Sequence, residues 1–138
     1  MNTEGVIYRS NVKIPADEFI DLLQRSTLAQ RRPVNEKDRI QKMLDHGNVI
    51  ITAWYKNTLV GVSRALSDFS FCCYLSDLAV DEEFQKRGIG KTLIDETHKA
   101  AGLHTMLILL AAPAAAQYYP KIGMERFNDC FIIRKKVN

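Results

Sequence analysis

Cysteine is scarce in this chain: three residues among 138, at positions 72, 73 and 130. The count is odd and no C-x-x-C spacing exists, so nothing points to a cysteine zinc site. Neighbouring strand positions face opposite ways, and buried reduced thiols of a cytoplasmic protein are the expectation for all three. Long apolar runs are also missing. The longest, Met106 to Ala116, is broken by Pro113 and falls well short of the ~20 residues that a membrane span requires. No basic start followed by an apolar core surrounds Glu4, so no signal peptide is expected. Charge of one sign does not dominate: 19 basic against 16 acidic residues leaves +3. That suits an anionic ligand, but without a basic run or helix face it does not call for nucleic acid. The tail Arg134-Lys135-Lys136 reads as a solvated chain end. His46, His98 and His104 have no metal spacing, so no metal is expected.

What remains is an ordinary globular composition, 46% hydrophobic and 25% charged, of a length that suits one domain over residues 1–138. Val6 to Arg9 reads as a strand, and Pro15 to Arg25 as a helix with Phe19, Ile20, Leu22 and Leu23 on one stripe. Asn35 is placed to cap a second helix bearing Ile40, Met43 and Leu44, which Gly47-Asn48 ends. Val49 to Tyr55 and Thr58 to Leu66 form a hairpin across Lys56-Asn57. Ser67-Asp68 turns the chain into an apolar strand, Phe71 to Val80. A helix over Gly88 to Ala101 turns Ile89, Leu93, Ile94, Ala100 and Ala101 inward and stops at Gly102. His104 to Leu110 is too apolar to alternate, which predicts a strand buried on both faces. A short helix, Ala114 to Lys121, precedes a closing strand at Phe131 to Lys135. That last strand, extended to Val137, could cover an edge of its own sheet or pair with a second chain in a homodimer. The order β-α-α-β-β-β-α-β-α-β predicts an α/β (α+β sandwich) fold, a mixed sheet with helices on its faces.

The informative segment is Leu78-Ala79-Val80-Asp81-Glu82-Glu83-Phe84-Gln85-Lys86-Arg87-Gly88-Ile89-Gly90-Lys91-Thr92-Leu93. An apolar strand enters a turn, and two glycines open a helix among basic residues. Free amides in a first helical turn, with glycines permitting close approach, make a phosphate site. Gly90-Lys91-Thr92 matches the end of the nucleotide-triphosphate loop G-x-x-x-x-G-K-[ST], but Gln85 stands where its first glycine belongs. Gly88 and Gly90 start the dinucleotide pattern G-x-G-x-x-G, but Leu93 stands at its third glycine. Gln85-Lys86-Arg87-Gly88-Ile89-Gly90 satisfies every position of [QR]-x-x-G-x-[GA], the acetyl-coenzyme A loop. Here the chain resembles the GNAT superfamily of N-acetyltransferases. Ala115-Ala116-Gln117-Tyr118-Tyr119-Pro120-Lys121-Ile122-Gly123-Met124 is similar to that family's later A-x-x-[FY]-Y-x-K-x-G-F, with Met124 replacing the aromatic. The resemblance covers about residues 49 to 127. Many relatives carry an asparagine where this chain has Ala112; that contact with the cofactor is then missing, or is made by Gln117 or backbone.

The resemblance implies a mostly antiparallel sheet whose strand at Ser76 to Val80 splays from the strand at Thr105 to Leu110. It implies acetyl-CoA as cosubstrate, held by Leu78, Ala79 and Val80 along the strand. Gln85, Lys86, Arg87, Gly88, Ile89, Gly90, Lys91 and Thr92 would take the pyrophosphate. It makes Tyr119 the general acid for the departing thiolate, with Tyr118 a core residue beside it. Asp77 is the first candidate base, pointing opposite to Leu78; Asp68 is the second, although Ser-Asp at a turn more often caps backbone. Gly61 to Asp68 and Ser76 to Val80 are similar to a subgroup that includes plant-type serotonin acetyltransferases, which implies a small-molecule amine as acceptor. The expected protein is therefore a cytoplasmic acetyltransferase with no nucleic-acid or membrane partner. The alternative is a module that binds acetyl-CoA as a sensor or partner domain without turnover.

Overall fold

The computed structural model describes residues 5–136, which leaves Glu4 and Val137 outside. Five strands, β1 (Val6–Ser10), β2 (Val49–Tyr55), β3 (Thr58–Ser67), β4 (Cys72–Val80) and β5 (Met106–Leu109), form one sheet in chain order. Every neighbouring pair is antiparallel except β4 and β5. The parallel pair is the one joined by a helical crossover, as a parallel connection requires. Helices α1 (Ala16–Arg25) and α2 (Lys37–His46) lie on one face, and α3 (Ile89–Ala101) covers the other. The hairpin residues Lys56 and Asn57 both adopt positive φ, 48° and 67°, as a tight turn between twisted strands demands. Thus the mixed, mostly antiparallel sandwich expected from the sequence is the fold observed.

Two bulges prepare the site. Ala53 pairs with Gly61 and Trp54 with Leu59, so Val60 is an extra residue in β3. Its side chain accordingly packs under α3, whereas Leu59 and Val62 pack under α1 and α2. In β4, Arg64 faces Asp77 and Ala65 faces Leu75, which leaves Ser76 as the extra residue. Facing changes across it: Cys73 and Leu75 point toward α3 before the bulge, as Leu78 and Val80 do after it. An extra residue bends its strand and re-aims the side chains beyond it. The β4–β5 ladder ends just there, at Leu75 and Leu109, where β5 itself ends, while β4 runs on to Val80.

Several sequence expectations need correction. β5 is not buried on both faces: Leu107 and Leu109 pack toward α3, but Met106 and Ile108 are exposed on the other side. The strand stands at the edge of the sheet, beyond the reach of α1 and α2. No closing strand forms at residues 131–135. The helix expected at Ala114 to Lys121 is split into a 3₁₀ turn at Pro113–Ala115 and a four-residue helix, α4 (Tyr118–Lys121). Asn35 does not cap α2; Glu36 stands at that position without a side-chain bond. Ala101 is buried but Ala100 is exposed, and only Cys73 of the three free cysteines is buried.

Candidate active site and cofactor cleft

Past Leu75 the outer edge of β4 has no strand beside it. Asp81 donates its amide to the Val60 carbonyl of β3 at 2.8 Å, so strand alternation turns the backbone groups of Leu78 and Val80 outward, into the split. The Val80 carbonyl accepts from Gln85 Nε2 at 2.9 Å. Gln85 therefore ties the loop back onto the strand it leaves. Leu78 N–H and C=O and Val80 N–H remain for a ligand that could add to the edge as an extended chain does. Ala79 faces the opposite way, buried beneath α1 and α2, so only its backbone belongs to the cleft wall.

At the end of this edge, Lys86 and Gly88 both have positive φ, 65° and 85°. Such a turn gathers amides into a concave anion site. It opens onto the first turn of α3, where the amides at 89 to 91 precede the first helical bond, Thr92 N–H to Gly88 O at 3.1 Å. Ile89 has its side chain buried in the sheet–α3 core and Thr92 donates its hydroxyl to Gly88 O, so these two serve through backbone. Gly90 lies against Tyr118, since a Cβ built there would stand 3.3 Å from the phenol oxygen. Arg87 stacks on Phe84 at 4.9 Å and donates to Glu83 O at 3.0 Å. Lys91 pairs with Asp95 at 2.8 Å on an exposed helix face.

One tyrosine of α4, Tyr118, is not the core residue that was expected. Tyr118 is exposed, over the first turn of α3, whereas Tyr119 is half-buried against the cluster that contains Leu75, Leu78 and Leu109. Their rings meet edge to face at 5.2 Å. Tyr119 thus stands where β4 and β5 part. Burial pushes its phenol above the ordinary value, and Tyr118 beside it adds to the shift.

Asp77 is fully buried on the opposite face of β4 from Leu78, and its two carboxylate oxygens accept from Arg32 Nε and Arg64 Nε. Every nitrogen of both guanidinium groups donates a hydrogen bond. Arg32 also donates to Ser76 O at 2.6 Å and Arg31 O at 2.8 Å. Arg64 also donates to Ser76 Oγ and to Met43 O of α2, each at 3.1 Å. The cluster grips the bulge residue from both sides. A second pair, Arg25 with Asp81, holds the end of β4, and Arg25 donates to Leu59 O at 2.8 Å. Sequence reasoning missed Arg25, Arg32 and Arg64. Even the Arg64–Asp77 pairing was hidden, because an unbroken β3–β4 register would set Arg64 opposite Ser76 and only the bulge brings Asp77 there. Asp68 Oδ1 accepts from the amides of Phe71, Ser70 and Cys72, which hold its carboxyl at about 2. It closes a turn, as Ser-Asp there suggested.

A model described as Acetyltransferase (GNAT) family matches residues 16–124. The chain belongs to the GNAT family. The uncharacterized N-acetyltransferase ycf52 of Porphyra purpurea is 30% identical to this GNAT chain over 130 residues, which cover 89% of it and 72% of the relative. The protein SA2161 of meticillin-resistant Staphylococcus aureus superposes with a TM-score of 0.77 at 17% identity, covering 94% of this chain and 99% of that one. Aminoglycoside N-acetyltransferase AAC(6′)-Iy, solved with coenzyme A, superposes at 0.72 and 17% identity over 99% of this chain and 100% of its own. These two share the GNAT fold.

Two histidines of this GNAT protein are tied to backbone. His98 and His104 hydrogen-bond the carbonyls of Thr105 and Phe69 at 2.7 and 3.1 Å. Gln117, an alternative for the contact absent at Ala112, is exposed beside α4. Among the described residues no His, Cys, Asp and Glu cluster could hold a metal, and no helix is long and apolar enough to cross a membrane.

Proposed function

We propose that this GNAT protein transfers the acetyl group of acetyl-coenzyme A to the primary amine of a small molecule by direct attack. The observation that carries the reading is the open edge of β4, which runs from the strand split at Tyr119 to the amide-lined turn before α3. The donor set suits the cosubstrate. Its pantetheine amides would pair with Leu78 N–H and C=O and Val80 N–H, and its pyrophosphate would sit on the amides from Lys86 to Lys91. Lys86, Arg87 and Lys91 put positive charge around that end.

In the reaction the amine nitrogen forms a bond to the thioester carbonyl carbon, and the carbon–sulfur bond breaks. The departing thiolate takes the phenolic proton of Tyr119, and the proton that the attacking nitrogen sheds on becoming an amide passes through solvent to restore the phenol. Burial favours the neutral phenol, so the proton is present at neutral pH. The ammonium form of the acceptor cannot attack and must first lose a proton. Asp77 has both oxygens committed to arginine, so we assign that proton to water and give Asp77 the task of positioning β4. The likeness to an aminoglycoside enzyme supports a small polyamine or aminoglycoside among the acceptors to be tried, beside arylalkylamines.

Thiol release from acetyl-coenzyme A against such a panel tests the proposal. Turnover is expected with one amine class. Tyr119→Phe should lower kcat by roughly 10² to 10⁴, the contribution of a general acid, with acetyl-coenzyme A affinity retained. Binding without turnover on any amine would make the protein a sensor or partner module. Failure to bind acetyl-coenzyme A would sink the reading.

A further inference from the structure

The amide turn before α3 is tied to a helix on the other face of the sheet. Helix α1 packs on the side of β4 that Ala79 occupies, opposite α3. From the last turn of α1, Arg25 reaches the end of β4 and uses every nitrogen of its guanidinium. Nε pairs with Asp21 at 2.9 Å, Nη2 donates to Leu59 O at 2.8 Å, and Nη1 pairs with Asp81 Oδ2. Leu59 precedes Val60, the extra residue of β3, so one side chain joins the bulge to the strand end. Asp81 carries the tie onward. Its side chain is 9% exposed, and among the described residues Arg25 is its one ion-pair partner. Its other oxygen, Oδ1, accepts the Glu83 amide at 2.8 Å and caps the 3₁₀ turn Glu82–Phe84. The Asp81 carbonyl accepts the Phe84 amide, also at 2.8 Å. Gln85 comes next and returns to Val80 O, and at Lys86 φ turns positive and the amide turn begins.

We propose that Arg25 is a positioning residue for the cosubstrate: through Asp81 it fixes the turn that takes the pyrophosphate, and it never touches the cofactor itself. The proposal rests on the acetyl-coenzyme A reading and deepens it. Two physical effects act in the same direction. With one oxygen held by Arg25, the carboxylate presents the other at a fixed angle to Glu83, and the amides that follow inherit that placement. Arg25 also cancels the charge of Asp81. Without it, a buried and uncompensated carboxylate would stand at the end of the cleft where an anion is to be held. An ion pair on an open surface would do neither, because solvent screens its charge and leaves its geometry loose. Here the aspartate is buried and both its oxygens are committed, one to the helix behind the sheet and one to the turn in front of it.

Equilibrium binding of coenzyme A to the full chain, read together with hydrogen exchange at the Glu83 and Phe84 amides, tests it. Arg25→Met should raise the Kd about tenfold, the equivalent of ~1.4 kcal/mol, and should speed exchange at both amides. Arg25→Lys should fall between parent and Met, since an ammonium restores the charge but not the fork that also holds Leu59 O. Arg25→Met combined with Asp81→Asn should recover most of the affinity. The asparagine oxygen can still accept from Glu83, and no charge is left buried. Should Arg25→Met fail to fold, the lysine and double variants carry the same comparison. If the parent binds coenzyme A, an unchanged Kd or unchanged exchange in the Arg25 variants would overturn the proposal. A double variant as weak as Arg25→Met would overturn it as well, because Arg25 would then act on the cofactor and not through Asp81. A parent that binds no coenzyme A would overturn the acetyl-transfer reading and this role with it, and exchange at Glu83 would still report whether Arg25 holds the turn.

Discussion

At the scale of single residues, Asp77 decides how the cleft is read. Its position on the cofactor strand made it the natural candidate for a base, and alternation correctly turned it away from Leu78. The partners that enclose it come from elsewhere: Arg64 from β3, and Arg32 from the connection between α1 and α2, 45 positions away in sequence. No spacing rule links position 32 to position 77. A carboxylate gripped by two guanidinium groups holds geometry, and removing it strands Arg64 as a buried, uncompensated charge. Asp77→Asn should therefore cost about 3–5 kcal/mol of stability in a denaturant titration, the range for breaking a buried pair. At temperatures where the variant stays folded, the acid side of its pH–rate profile should keep the parent's shape. Loss of that limb would restore Asp77 as the base and contradict its assignment as a positioning residue.

At the scale of elements, the strand–turn–α3 unit was the most legible part of the molecule. Its order and glycine spacing excluded two rival phosphate motifs before any geometry was known. Gly88 shows why: its φ of 85° is a conformation that a Cβ penalises, whereas Gly90 sits in ordinary helix with Tyr118 as its near neighbour. Gly88→Ala should cost roughly 1–2 kcal/mol from the left-handed backbone alone. The strain falls where the amide turn must form, so KM for acetyl-coenzyme A should rise about tenfold, the equivalent of ~1.4 kcal/mol. The saturated rate should change little, because Tyr119 is held by a different element. Gly90→Ala is the matched comparison and should do less, since a phenol end can yield by a few tenths of an ångström. The bulges at Val60 and Ser76 were not legible. A bulge leaves no composition signal, and only the register between paired strands reveals the extra residue.

At the scale of the whole molecule, sequence reasoning failed where an edge was involved. An apolar run reads as a buried strand, but Met106-Leu107-Ile108-Leu109 has a helix on one face only. The Phe131 to Lys135 run has strand character without a partner among the described residues. Both errors have one cause: periodicity reports what a segment could bury, whereas the sheet order decides what covers it. The proposed cofactor cleft is different, because the residues proposed for it come from β4, α3, α4 and the turn between β4 and α3. Coenzyme A present at a hundredfold its Kd should stabilise the folded state by about 2.7 kcal/mol. For a domain of this size that corresponds to a rise in Tm of roughly 10 °C by calorimetry.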